Sequence, residues 1–177
     1  MKIALVTDST ADLTQQLIDH WKIFVLPLKV SFGDEQFLDS ELTSEEFYTR
    51  LSSGSQLPTT SQPTPEDFSS VYTKALADHD EIISIHISSG LSGTLNSAHI
   101  AAKNYPGKVH LVDSHSISLG IGQQVLEAAE GLQEGLDVPA VLARITKMRE
   151  NMETIFTLDT LEYLHKGGRI GENRLHI

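Results

Sequence analysis

Short apolar runs recur along the chain, each followed by a polar turn and then by a segment whose apolar positions fall at helical spacing. KIALVT (2–7), EIISIHIS (81–88) and KVHLVD (108–113) predict buried strands, because β-branched residues fill them without a polar alternate face. FVLPLKVSF (24–32) is also extended, but Pro27 donates no ladder hydrogen bond and so predicts an edge, a bulge or two short strands. ADLTQQLIDHW follows the first strand, with Asp12 and Gln15 spaced as a capping box. Thr43 and Glu46 repeat that spacing before EEFYTRL. Thr64-Pro65 with Glu66 and Asp67 puts a cap, a first-turn proline and two acids at the start of DFSSVYTKAL. SGTLNSAHIAAKNY predicts a helix closed by Pro106-Gly107. Ile117–Glu134 predicts a helix interrupted by glycines, and a further helix runs from Asp137 to near Met152. TIFTLD (154–159) reads as a last strand. Strands alternating with helices predict an α/β fold, a mostly parallel sheet with helices on both faces, and one complete domain.

Composition narrows the function. The 177 residues carry a formal net charge of −11, so the clustered Lys and Arg that attract nucleic acid or anionic lipid are missing. Nucleic acid is not an expected partner. No window reaches the roughly 18 apolar residues of a membrane span, and MKIALVTDST meets charged and turn residues too early for a signal peptide. No integral membrane segment is expected, and the chain reads as cytoplasmic. With no cysteine, disulfides, thiolate catalysis and cysteine-based zinc sites are excluded.

In a parallel sheet, ligands bind beyond the carboxyl ends of the strands, where loops lead into helices. Three polar turns fall there: Asp8-Ser9-Thr10, Ser88 to Thr94, and Asp113 to Ser118. In the second, two glycines allow close backbone approach, hydroxyls can donate, and the following helix N-terminus favours an anion. LPTTSQPTPEDF (57–68) is equally rich in hydroxyls, and the two stretches are expected to form one site. The same residues also serve as ordinary turn and cap partners, so the residues alone leave both readings open. Other motifs are weaker. GLSGT around Ser92 lacks the second glycine of a nucleophile elbow. The eight histidines form no HExxH pattern, His86 reads as a satisfied core residue, and no metal is expected. KGGRIG (166–171) fits neither dinucleotide nor P-loop spacing and reads as a helix C-cap with a turn.

VTDSTADL, TTSQPTPEDF, ISSGLSGTLNSA, VDSHSISLG and TLEYLHKGGRIG, in this order and spacing, resemble the DegV family of bacterial fatty-acid-binding proteins. The resemblance covers nearly the whole chain. It implies a non-enzymatic carrier, without cofactor, that encloses one long-chain fatty acid with its carboxylate against hydroxyls and its acyl chain in an apolar tunnel. It further implies presentation of that ligand to a fatty acid kinase. By motif position, Thr60 and Ser89 correspond to the hydroxyls that hold the carboxylate, with Ser61, Ser92 and Thr94 as neighbours, and Arg169 corresponds to a residue that engages the kinase. Family members are usually longer, with a second α/β domain after GGRIG that closes over the ligand and adds a polar contact. By this comparison the chain holds a first domain over 1–158 and the start of a truncated second domain over 159–177. ENRLHI departs from the family's helical continuation, and His176 does not stand in for the second domain's contact. A one-walled tunnel would bind fatty acid weakly and expose an apolar strip through which copies self-associate. The other readings are an enzyme using the Ser89 to Thr94 loop as an anion or phosphate pocket, and an inactive remnant.

Overall fold

The computed structural model describes residues 1–53 and 57–170. Four parallel strands form its centre in the order β2-β1-β6-β7: β1 (Ile3–Asp8), β2 (Phe24–Leu26), β6 (Glu81–His86) and β7 (Val109–Asp113). Their side chains alternate between two cores. Ala4, Val6 and Ile82 face Phe68, Tyr72 and Ala75 of α3 (Pro65–Leu76) and Ala98 and Ala101 of α4 (Thr94–Ala102). Leu5, Ile83 and Ile85 face α5 (Leu119–Gln133) and α6 (Val138–Glu150). The parallel sheet covered on both faces is therefore as the hydrophobic pattern predicts.

A second, antiparallel sheet joins β3 (Lys29–Phe32), β4 (Glu35–Leu38) and β5 (Thr59–Ser61) in the order β4-β3-β5. Pro27 lies at the division: FVL enters the parallel sheet and KVSF the antiparallel one. Helix α2 (Ser44–Ser53) follows β4 and buries no residue, though the Phe47 and Phe32 rings meet edge-on at 5.7 Å between centroids.

Three local expectations are corrected. Asp12 adopts a left-handed backbone (φ 49°) after a short 3-10 turn, Ser9–Ala11, and α1 (Gln15–Trp21) is capped by Thr14 instead. The glycines of α5 do not interrupt it. A Cβ at Gly122 would stand 2.7 Å from the Ala11 carbonyl oxygen, so that glycine permits close packing against the 3-10 turn. TIFTLD forms no strand: its backbone joins no ladder, and Ile155 and Phe156 are 83% and 62% exposed. Strand-forming residues without a strand edge to join gain nothing from their propensity. Beyond it, α7 (Glu162–Lys166) ends as predicted in a glycine turn, with Gly168 at φ 74° and Arg169 N–H donating to the Leu164 carbonyl at 2.9 Å. Within the 159–177 segment, residues 171–177, including His176, lie outside the described residues.

Candidate functional site

The chain leaves β1 toward β2 on one side and reaches β6 on the other, so the sheet order turns between β1 and β6, the usual position of a ligand crevice. At this point the Asp8 carboxylate is buried and accepts from His86 Nδ1 (2.9 Å), Ile87 N (3.1 Å), Thr10 N (3.1 Å) and the Thr10 hydroxyl. Burial pushes this carboxyl up, but the hydrogen bonds from His86, Thr10 and Ile87 outweigh it and hold it below the ordinary value.

The network continues inward. His86 Nε2 is 2.6 Å from Ser84 Oγ, which is 3.0 Å from the Tyr72 hydroxyl. One proton arrangement uses every donor: Tyr72 O–H to Ser84, Ser84 O–H to Nε2, and Nδ1–H to Asp8. Burial pushes the Tyr72 hydroxyl pKa far upward, which keeps its proton in place. Ser84, His86 and Asp8 thus have the connectivity of a catalytic triad, yet all three are completely buried, so no substrate reaches them. His86 is the satisfied core histidine expected from its strand.

Above this network, the loop after β6 carries the predicted hydroxyls. Ser89 Oγ donates to Asp113 Oδ2 at 2.5 Å, and its N–H to Oδ1 at 3.3 Å. Asp113 also accepts from His115 N at 3.0 Å. Burial raises its pKa, but the Ser89 and His115 bonds hold it below the ordinary range. The hydroxyl proton of Ser89 is therefore already committed to a carboxylate. Ser92 and Thr94 differ: their oxygens are 2.9 Å apart, and Thr94 N donates to Ser92 Oγ at 3.2 Å. Two hydroxyls share one bond, so whichever donates, one O–H of the pair is left over.

Thr60 and Ser61 lie on β5, and strand alternation sends them to opposite faces of the small sheet. Thr60 Oγ1 accepts from Arg169 Nη2 at 3.4 Å, a long bond that leaves the threonine proton available. Glu162, the acid at helical spacing from Arg169, pairs with Lys166 at 2.5 Å. The hydroxyl stretches meet through Gln62, whose Nε2 donates to Ser97 Oγ at 3.0 Å in the first turn of α4. The expectation of one site thus has a physical link, and a sequence reading of hydroxyls overlooks the amide that makes it. The pairing of Ser89 with Asp113 is equally invisible in sequence, although both turns are visible as polar strand ends.

A cavity of about 260 Å³ opens beside the Ser88 to Thr94 loop, with Leu91, Ile117, Met152 and Phe156 on its apolar side and Ser114, His115, Ser116, Arg149 and Thr154 on its polar side. Arg149 Nη1 donates to the Asp113 carbonyl at 2.6 Å, and Ser116 and Thr154 share a 2.9 Å hydroxyl bond. The segment expected to be a strand is therefore pinned as a cavity wall. Among the described residues no cluster of three or more His, Cys, Asp or Glu is placed to hold a metal. None of their helices is long and apolar enough to cross a membrane.

Comparison with known proteins places the chain among relatives of the same fold. Residues 2–176 match the family model described as "Uncharacterised protein, DegV family". A DegV domain-containing protein of Deinococcus radiodurans is 40% identical over 97% of this chain and 61% of its own length. A second, from Staphylococcus aureus, is 37% identical over 98% and 62%. A Thermus thermophilus structure described as fatty acid binding of a DegV family protein superposes with TM-score 0.93 at 45% identity, covering 98% of this chain and 62% of that one. A Thermotoga maritima structure described as revealing a fatty acid binding function gives 0.88 at 34%, covering 96% and 64%. The chain spans somewhat under two thirds of the length of these relatives.

Proposed function

The chain belongs to the DegV family, and from that premise we propose that it is a fatty-acid-binding module, a carrier working in the cytoplasm that binds its ligand without transforming it. The observation that most supports this reading is the spare donor set at the strand ends. Thr60 and one hydroxyl of the Ser92 and Thr94 pair have protons to give, and the loop that carries Ser92 also places Leu91 in the wall of a cavity with Ile117, Met152 and Phe156, although Thr60 itself does not line it. A carboxylate with a hydrocarbon tail answers both features. In this reading Thr60, Ser92 and Thr94 receive the carboxylate, Ser89 shapes the loop through Asp113, and Ser61 lies on the other face of β5. Each buried methylene contributes about 0.8 kcal/mol and each hydroxyl bond to a charged group about 1.5 to 3, so the tail supplies most of the affinity.

Arg169 stands exposed beside Thr60, where it would both border the ligand's head group and meet the fatty acid kinase implied by the family resemblance. Leu119, Ile155, Phe156, Leu158 and Tyr163 are each exposed and available for self-association, which light scattering would detect as a dimer or larger species.

The test is native mass spectrometry of the purified chain followed by titration with palmitate. A co-purified fatty acid is expected, with Ser92→Ala and Thr60→Ala each weakening palmitate by roughly 10- to 100-fold, the effect of one hydrogen bond to a charged group. Ser89→Ala should weaken it less. A phosphorylated metabolite in the same position would instead support an anion-pocket enzyme, and a chain that neither carries nor binds fatty acid would overturn the reading.

A further inference from the structure

We propose that Gln62 is the positioning residue of this site, an amide latch that holds β5, with Thr60, against the start of α4, with Ser92 and Thr94; the ligand consequence rests on the fatty-acid reading above. The first support comes from Gly93. Its backbone (φ −78°, ψ 5°) suits any residue, so conformational freedom does not explain a glycine there. Space does. A Cβ at Gly93 would lie 2.0, 2.8 and 2.9 Å from Oε1, Cδ and Nε2 of Gln62, and these are its three nearest contacts. The glycine makes the seat into which the Gln62 amide fits.

The second support is the donor end of the same amide. Nε2 donates to Ser97 Oγ, and Ser97 is buried in the first turn of α4. Gln62 reaches this seat from a stiff base: β5 ends at Ser61, Pro63 restricts the preceding residue to extended backbone, and Thr64 caps α3 through reciprocal bonds with Asp67. The third is the weakness of every alternative. β5 pairs with β3 and has three exposed residues. Among the described residues, the side-chain hydrogen bonds from 59–62 to other parts of the molecule are that of Gln62 with Ser97 and the 3.4 Å contact of Thr60 with Arg169. Loss of the amide therefore frees Thr60 to drift from the α4 start while the two cores stay intact.

The latch can be opened from either side. Gln62→Ala removes the amide. Gly93→Ala leaves it in place but evicts it from its seat, since the clash is with the far end of a flexible side chain. Both should weaken palmitate by about fivefold, the equivalent of one ordinary hydrogen bond, with little change in the urea midpoint. The double variant should be no worse than either single one, because both remove the same contact. Multiplied losses in the double variant, or normal binding by Gly93→Ala, would overturn the latch. Amide hydrogen exchange of the ligand-free protein tests it separately from the fatty-acid reading. Residues 59–61 and 94–97 should exchange faster in both single variants, while Gln62→Glu, which keeps the shape and accepts from the Ser97 hydroxyl, should retain protection. Unchanged exchange would sink the latch even if palmitate binds, and faster exchange would support it even if wild-type protein bound no palmitate.

Discussion

Asp8 and Asp39 flank Ser9 in space, and their surroundings differ as the two sheets differ. Asp8 ends a strand of the parallel sheet, where two backbone N–H groups, a histidine and a threonine converge on its carboxylate. Asp39 follows β4 of the antiparallel sheet. Its Oδ2 accepts from the Ser9 hydroxyl, while its Oδ1 is buried without a hydrogen-bond partner. Ser9 accepts in turn from Leu28 N at 2.9 Å, so this one hydroxyl links the two sheets. Burial alone would raise both carboxyls. At Asp8 the donors win, while at Asp39 burial wins over the Ser9 bond and the nearby Asp8 charge adds to it, so its carboxyl is held above the ordinary value. The parallel sheet is a scaffold whose buried carboxylate is well partnered, although Thr7 Oγ1 of β1 is buried without a hydrogen bond. The antiparallel sheet is a lightly attached flap, joined to the scaffold by the Ser9 hydroxyl and the Gln62 amide, while Arg50 of α2 lies over the Phe37 ring at 4.6 Å within the flap.

The largest expected effect tests the scaffold half of this contrast. His86→Ala leaves the Asp8 charge and the Ser84 hydroxyl buried without their partner and should cost about 3 to 5 kcal/mol in urea unfolding. That is a large share of the roughly 5 to 15 kcal/mol available to a domain. Tyr72→Phe removes only the last donor of the chain and should cost about 1 kcal/mol. Arg50→Ala, in the flap, should cost no more, since its ion pair with Glu35 is exposed. Equal costs for His86→Ala and Arg50→Ala would erase the distinction between the sheets.

The scaffold was legible in the sequence, while of the flap only the division at Pro27 and the Thr43 and Glu46 cap of α2 were. KIALVT, EIISIHIS and KVHLVD announce themselves because parallel strands buried on both faces must be apolar throughout. β4 and β5 are short and largely exposed, and β5 pairs with a strand far away in sequence, so nothing local marks them. TIFTLD had the residues of a strand and no edge to join. At the site, glycines and hydroxyls at strand ends revealed the loops, but the commitment of Ser89 to Asp113 and the seating of Gln62 on Gly93 are tertiary facts. A glycine with no turn to make, followed by a helix, is the one sequence sign that something packs on Gly93.

A pH titration sharpens the comparison with two opposite signs. The depressed Asp8 contributes stability that is fully present above about pH 4, its unfolded value, and is lost as pH falls through its lower folded value. The raised Asp39 contributes stability that is full below about pH 4 and is lost as pH rises through its higher folded value. Asp39→Asn should therefore flatten the decline between pH 4 and 7 and destabilise little at neutral pH. Asp8→Asn should destabilise at pH 7 and reduce the loss of stability on acidification below pH 4. Urea midpoints across pH 2 to 7 would reveal both, and matching behaviour of the two variants would contradict the assigned surroundings.

The smallest effect compares two equivalent caps. Thr64 and Asp67 exchange backbone bonds at 2.9 and 3.2 Å at the start of α3, and Thr43 and Glu46 do so at 3.0 and 3.2 Å before α2. The local chemistry is nearly the same, so any difference in consequence comes from what each helix packs against. α3 buries Phe68, Tyr72 and Ala75 in the scaffold, and its fraying should be felt by the whole fold, so Thr64→Ala should lower global stability by about 1 kcal/mol. α2 buries nothing, and it can open locally while the two cores stay folded. Thr43→Ala should therefore shift the urea transition by less than about 0.5 kcal/mol, below the usual cost of losing a cap, yet speed amide exchange within 44–53. If Thr43→Ala instead lowered global stability as much as Thr64→Ala, α2 and the flap would have to unfold together with the parallel sheet, and the two regions would be one cooperative unit.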